Sequence, residues 1–278
     1  TAAFEQIAQA DGLYAKTLNG DAYSAEMKEQ TIETIKKDLG QVDMVIYSIA
    51  APRRTAPDGV TYKSVLKTTG EAYTNRTIDL RSNQLTEATI EPATQEEINN
   101  TIKVMGGEDW EDWIDALKAA DVLTENAVTV AYSYIGPELT YPIYKEGSIG
   151  QAKKDLYASA DKIQEEVDGV EAYVSVNKAV VTQSSAAIPI VPLYLAILFK
   201  VMKEQNVQEG CIEQMYRMIH DRLCNGGEVV TDENRLIRMD DWEMEPKVQE
   251  ADAAIWEKID QDNLEEVTDL EGYWQEFY

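Results

Sequence analysis

"AVTVAYSYI", Ala127–Ile135, is a nearly continuous apolar run followed at once by Gly136–Pro137. A run this short, rich in Val and Tyr, reads as a strand. Its lack of alternation points to a parallel sheet covered on both faces. "VDMVIYSIA" (Val42–Ala50) and "VEAYVSVNKAVVT" (Val170–Thr182) share the pattern, and "LYAKTL" (Leu13–Leu18) is a shorter candidate ahead of them. Helix-period segments lie between them, at Ser24–Lys37, Thr94–Met105, Asp109–Ala120 and Ser148–Val167. Strand alternating with helix predicts an α/β fold, an open, doubly wound parallel sheet with right-handed crossovers. Arg76–Pro92 alternates about a Ser-Asn turn and predicts an inserted β-hairpin. Ser184–Asn206, with Pro189 and Pro192 in its early turns, predicts one long apolar helix. Residues 207–278 read as polar helices, one of them starting within "MDDWEMEPKVQEADAAIWEKI", and "TAAFEQIAQADG" reads as a helix already under way at residue 1.

Charge narrows the function classes. Against 51 Asp and Glu stand 25 Lys and Arg in 278 residues, a formal net charge of −26. Nucleic-acid binding needs a basic surface, so this balance argues against it. His220 is the single histidine, and Cys211 and Cys224 are the two cysteines. All three fall in one predicted helix, "EGCIEQMYRMIHDRLC", as packing and surface positions. The counts argue against a disulfide framework, a His-rich zinc site and a serine–histidine triad. The longest apolar run, Ala186–Phe199, is short for a bilayer and holds two prolines. No membrane association is expected, and the cytoplasm is the expected location. Residue 1 is Thr, so the sequence reads as a piece of a longer protein.

Doubly wound sheets bind ligands at the carboxyl ends of their strands. The stretches after the candidate strands are "NGDAYS" (Asn19–Ser24), "SIAAPRRT" (Ser48–Thr55), the tyrosine-rich segment from Tyr132 to Leu156, and "TQSSAAIP" (Thr182–Pro189). All carry small, polar or basic residues suited to a dinucleotide crevice. No G-x-G-x-x-G follows the first strand, and "GSIGQAKK" (Gly147–Lys154) lacks the spacing of a phosphate loop. Ser148 is a candidate N-cap, which puts Lys153 in the second turn of the next helix, with eight residues between it and Tyr144. A phenol titrates near ~10, and a neighbouring ammonium lowers that value. Such a pair can pass a proton to a carbonyl or enolate while a nicotinamide gives hydride, with neither histidine nor metal. Spacing alone does not separate this site from a packed tyrosine beside a solvated lysine.

Larger motifs carry a resemblance. "GDAYS", "VIYSIAAPRRT", "KSVLK", "KVMGGEDWEDWI", "AYSYIGPE", the Tyr-x8-Lys-Lys run, "VSVNKAVVTQSSAAIPIVPLYLAILFKVMKE", "EGCIEQ" and "DDWEME" run almost end to end. With them the chain resembles the trans-2-enoyl-CoA reductases and the similar V-type enoyl-acyl-carrier-protein reductases. The resemblance implies a Rossmann-like, enlarged relative of the short-chain dehydrogenases, monomeric and cytoplasmic. It implies reduction of the α,β double bond of an enoyl-CoA or enoyl-acyl-carrier-protein thioester with NADH, in fatty acid synthesis. Carried over, Tyr144 is the proton donor, Lys153 holds the cofactor ribose and Tyr134 contacts the thioester carbonyl. Asp21 and Ala22 flank the adenine, Ile49 and Ala50 line the path to the nicotinamide, and Val181 and Thr182 lie near its carboxamide. The helix from Ser184 covers the acyl chain. Arg53, Arg54, Lys63 and Lys67 form a basic cluster, read either as an attractant for the phosphates of the acyl carrier or as ordinary surface charge.

The family's opening strand, glycine-rich loop and second strand are not in this sequence. The expectation is therefore a reductase as parent, with the isolated single catalytic domain (1–278) binding dinucleotide poorly. The alternatives are a carbonyl reductase of the short-chain type, which needs a Tyr-x3-Lys helix beside a strand end, and a non-catalytic fragment or CoA-binding module.

Overall fold

Trp110 explains how the central layers hold together. It is fully buried, and its indole N–H donates to Thr129 Oγ1 at 2.9 Å, which in turn donates to the Val45 carbonyl at 3.1 Å. One side chain thus ties a helix to two neighbouring strands. Residues 2–278 are described in a computed structural model, so Thr1, where the first helix was expected to be under way, lies outside the described residues.

The chain begins with α1 (Ala2–Ala10), α2 (Ala25–Asp38) and β1 (Val42–Tyr47). Two small hairpins follow, β2 (Arg53–Thr55) with β3 (Thr61–Lys63), and β4 (Tyr73–Asp79) with β5 (Gln84–Ile90). Next come α3 (Gln95–Met105), α4 (Glu108–Ala119), β6 (Leu123–Ser133), α5 (Ser148–Glu166) and β7 (Val170–Val176). The last part holds α6 (Gln183–Ala186), α7 (Val191–Glu204), α8 (Cys211–Arg217), β8 (Leu236–Arg238), α9 (Pro246–Lys258), α10 (Leu264–Val267) and α11 (Leu270–Phe277). The central sheet has four strands in the order β1-β6-β7-β8, all parallel. This is the expected α/β, Rossmann-like architecture.

Period-2 geometry sends alternate residues of each strand to opposite faces. Ala127 and Ala131 of β6, with Ala172 and Val174 of β7, meet Trp110, Ile114 and Leu117 of α4 and Leu156 and Ile163 of α5. Val130 and Val128 face the other way, toward Met218, Leu223 and Met239. A third core surrounds α7, whose residues from Leu193 to Leu198 are fully buried against α9, α11 and the β4–β5 hairpin.

Four local expectations need correction. Leu13–Leu18 forms no strand: Tyr14 and Lys16 instead bind the Asp38 carboxylate at the end of α2, at 2.8 and 2.9 Å. The sheet's fourth strand is β8, too short to show any periodicity. Strand β7 stops at Val176, where the Asn177 N–H turns to the Ser133 carbonyl. The apolar helix is broken, because Pro189 excludes Ile188 from helical geometry and Ile190 takes φ 74° before α7 begins. The buried Ile190 N–H, lost to the helix, donates to Thr77 Oγ1 at 3.1 Å.

Candidate active site

A cavity of about 250 Å³ opens at the carboxyl ends of β6 and β7, where a doubly wound sheet places its ligands. Ser133, Tyr134, Tyr144, Asn177 and Thr182 give it polar walls, and Ile188, Val191 and Leu195 give it an apolar one. Tyr134 and Tyr144 come from either end of the loop between β6 and α5. Gly136, at φ 73°, lets this loop turn back against the Tyr134 ring. The Tyr144 N–H then donates to the Thr140 carbonyl at 2.9 Å.

The glycines of "GSIGQAKK" serve close approach. A Cβ on Gly150 would run into the Tyr144 and Lys145 carbonyls, so only glycine lets α5 start directly beneath the tyrosine loop. Ser148 is not the N-cap; Gly147 is, with no side-chain cap bond. The Ser148 hydroxyl donates to the Val65 carbonyl at 2.6 Å and accepts the Lys67 N–H at 3.1 Å, fastening the loop before β4 to the start of α5.

Tyr134 and Tyr144 meet edge to face, centroids 4.8 Å apart at 83°. The Tyr134 hydroxyl donates to Glu243 Oε1 at 3.1 Å, whereas no protein group among the described residues takes the Tyr144 hydroxyl. Burial, reinforced by the Glu243 charge, raises the pKa of both phenols, so both stay protonated at neutral pH. This corrects the expectation of a lysine that lowers the Tyr144 value. Lys153 does lie in the second turn of α5, but its ammonium donates to the Tyr132 carbonyl at 3.1 Å. Burial pushes its pKa down to about 8. Lys178, beside the cavity and only 1% exposed, likewise bonds a carbonyl, that of Ala179 at 2.8 Å, and burial lowers its pKa too.

The other named residues do not all converge on the cavity. Thr182 lines it and caps α6. Val181 turns its side chain into the core around α7. Ile49 and Ala50 follow the end of β1, with Ile49 packed on the sheet–helix core and Ala50 exposed. Asp21 is exposed and accepts the Tyr23 N–H at 3.0 Å, and the Ala22 carbonyl accepts Trp113 Nε1–H at 3.1 Å. The basic cluster dissolves. Arg54 is 2% exposed and faces Asp112 at 3.3 Å, and Lys67 pairs with Glu97 at 2.7 Å. Arg54 is a core cation, and of the four only Arg53 and Lys63 are exposed and without an ion pair among the described residues. Tyr141 and Lys145 have the Tyr-x3-Lys spacing but lie in the turn before α5, with the ammonium over the ring at 4.3 Å.

Sequence reasoning missed Lys178, Tyr194 and Glu243. A lone lysine inside the apolar "VNKAVV" was a usable signal for the first. Glu243, inside an acidic stretch that reads as solvated, gave none. The cysteines and His220 are exposed, and no group of three or more His, Cys, Asp or Glu that could hold a metal occurs among the described residues. Nor is any described helix long and apolar enough to cross a membrane.

The fold is Rossmann-like, a parallel α/β sheet with two phenols and a half-buried lysine at its carboxyl edge. Residues 1–224 match the family described as the trans-2-enoyl-CoA reductase catalytic region, and residues 231–278 match one described as an enoyl reductase FAD binding domain. The chain belongs to the trans-2-enoyl-CoA reductase family. It is 56% identical to the trans-2-enoyl-CoA reductase [NADH] of Ruminiclostridium cellulolyticum, over 100% of this chain and 71% of that protein. It is 54% identical to the enoyl-[acyl-carrier-protein] reductase [NADH] of Flavobacterium johnsoniae, again over 100% and 71%. The crystal structure of Treponema denticola trans-2-enoyl-CoA reductase in complex with NAD superposes with a TM-score of 0.96 at 49% identity, covering 99% of this chain and 69% of that one.

The residues of 231–278 do not fit a flavin dinucleotide. Arg238 is committed to Asp240 at 2.7 Å, Arg235 to Gln164 at 3.0 Å, and the Gly272 N–H to Asp269 at 2.8 Å. The cavity against α9 presents Glu138, Asp252 and Glu257 and no basic group, the wrong lining for a pyrophosphate.

Proposed function

We propose that the protein reduces the α,β double bond of trans-2-enoyl thioesters, of coenzyme A or an acyl carrier protein, with NADH, and that Tyr144 is the proton donor. The observation that carries this reading is the Tyr144 hydroxyl: protonated, in the cavity wall, and claimed by no other group among the described residues. NADH supplies the hydride that reduces the β-carbon. Asn177, Thr182, Ser184 and Ser185 offer the hydroxyls and amides that fit its carboxamide and ribose, and Lys153 offers a cation at the same sheet edge. Tyr144 donates its proton to the thioester oxygen as charge develops there, and a donor fixed in advance stabilises that oxyanion. The enol so formed tautomerises, its α-carbon gaining a proton to give the saturated thioester, while Tyr144 regains a proton from solvent. Ile188, Val191 and Leu195 exclude water from the acyl chain. The same reading makes the protein a monomer of the cytoplasm acting in fatty acid synthesis.

The test follows NADH oxidation with crotonyl-CoA, using the chain and its parent protein. Tyr144→Phe is expected to lower kcat by at least about 100-fold, the usual scale for a positioned proton donor. No turnover by the parent, or full activity in the variant, would sink the assignment.

A further inference from the structure

The C-terminal segment sends one side chain to the tyrosine pair. Glu243, in the turn ahead of α9, is fully buried. Its Oε1 accepts the hydroxyls of Tyr134 at 3.1 Å and Tyr194 at 2.7 Å, and its Oε2 accepts the Ala179 N–H at 2.7 Å. Gln249 braces the arrangement from α9, donating to the Glu243 carbonyl at 2.7 Å and the Tyr194 hydroxyl at 3.3 Å. One carboxylate therefore joins the end of β6, the loop after β7, α7 and the turn before α9.

Burial raises the Glu243 pKa, while the Tyr194 hydroxyl, the Ala179 N–H and the nearby Lys178 charge lower it. Three donors directed at two oxygens favour the ionised carboxylate that only accepts. The Tyr134 proton then points at Glu243, and its oxygen offers the cavity lone pairs rather than a proton. The Tyr134 ring, held by its hydroxyl, presses edge to face on Tyr144.

We propose that Glu243 is a positioning residue: by taking the Tyr134 proton it sets the Tyr134 ring against Tyr144 and leaves Tyr144 as the sole donor to the substrate. The proposal rests on the reductase reading and revises one part of it, since two phenols no longer converge as donors on the oxyanion. It also gives residues 231–278 a task that needs no flavin, namely ordering the catalytic loop.

Two measurements test it on the same chain. The first needs no substrate: tyrosines labelled with ¹³C at Cζ, assigned by Tyr→Phe substitution, are compared in the unsubstituted chain and in Glu243→Gln. The Tyr144 resonance is expected to move together with that of Tyr134. A Tyr144 resonance that stays in place overturns the proposal. Should Glu243→Gln fail to fold, Tyr134→Phe, which leaves the carboxylate in place, reads the same coupling, and again an unmoved Tyr144 overturns it. The second is a kinetic cycle on the parent. Glu243→Gln is expected to lower kcat by about 10- to 100-fold, the scale of a misplaced reacting group, with the KM for NADH unchanged. In a Tyr134→Phe background the same substitution is expected to add less than about 2-fold, because Glu243 acts through that phenol. Losses that multiply, or an unchanged kcat, refute the role. A parent without turnover refutes the reductase reading and leaves the resonance test to decide Glu243. Loss of turnover in Tyr144→Phe with a silent Glu243→Gln keeps the reading and removes Glu243.

Discussion

Two buried polar clusters flank the sheet, and they handle charge in opposite ways. Beside α4, each buried cation meets a carboxylate: Lys28 reaches Asp109 at 2.6 Å, Arg54 reaches Asp112 at 3.3 Å, and the Tyr47 hydroxyl donates to Asp109 at 3.1 Å. At the carboxyl edge of β6 and β7, the lysines meet only carbonyls, Lys153 at 3.1 Å and Lys178 at 2.8 Å, while Glu243 meets only neutral donors. Paired charges repay part of their desolvation internally and hold a shape. Unpaired ones leave that debt standing, and perturbed groups of this kind gather where a ligand completes the set. The α4 cluster is thus mortar, and the strand-end cluster is a site.

Breaking the first cluster should have the largest effect on stability. Asp109→Ala strands Lys28 in the core and removes the partner of Tyr47, so a loss of about 3–5 kcal/mol is expected in urea unfolding. A loss below about 1 kcal/mol would mean that the cluster is solvated and that the contrast is wrong.

Lys153→Met should do the reverse. It removes a half-buried cation bonded only to a carbonyl, so stability is expected to hold or rise, while the KM for NADH increases. The pH dependence follows from a native pKa near 8 against an unfolded value near ~10.4. Below pH 8 both states carry the proton and the burial cost is fully present. Between roughly 8 and 10 the unfolded state binds more protons, so stability gains with rising pH, by about 1–3 kcal/mol from this group. The difference between the unsubstituted chain and Lys153→Met should therefore shrink across that window. A difference independent of pH would show that Lys153 is not desolvated.

The same contrast explains what the sequence could reveal. The parallel sheet was legible because β6 and β7 are apolar on both faces, and helices α2 to α5 because their periodicity is local, with side-chain caps at α2 and α3 only. Tyr144 and Lys153 were legible as a spacing along one loop and helix. What remained hidden depends on distant contacts. Arg54 looked like a surface charge because its partners lie on α4, and Glu243 looked solvated because its phenols are 109 and 49 residues away. The break before α7 was only half legible. Pro189 announced it, but the positive φ at Ile190 goes with the hydrogen bond that its N–H donates to Thr77 of the distant hairpin.

The smallest effect compares two caps built alike. Thr94 and Thr182 each accept the N–H of the third helical residue, and that residue's side chain accepts the threonine N–H in return. Thr94 heads α3, an exposed start on an 11-residue helix, so Thr94→Ala is expected to cost about 1 kcal/mol and leave every kinetic constant unchanged. Thr182 heads α6, a helix of 4 residues that has little helical stability to lose, so Thr182→Ala should cost less than its counterpart. Yet Thr182 lines the cavity, and its loss removes a hydroxyl from the proposed carboxamide site. Urea midpoints and initial rates on the two variants separate the effects: the midpoint moves more at Thr94, and the KM for NADH moves only at Thr182. A KM that ignores Thr182 would shift the dinucleotide away from this end of β7, and with it the contrast between mortar and site on this side of the sheet.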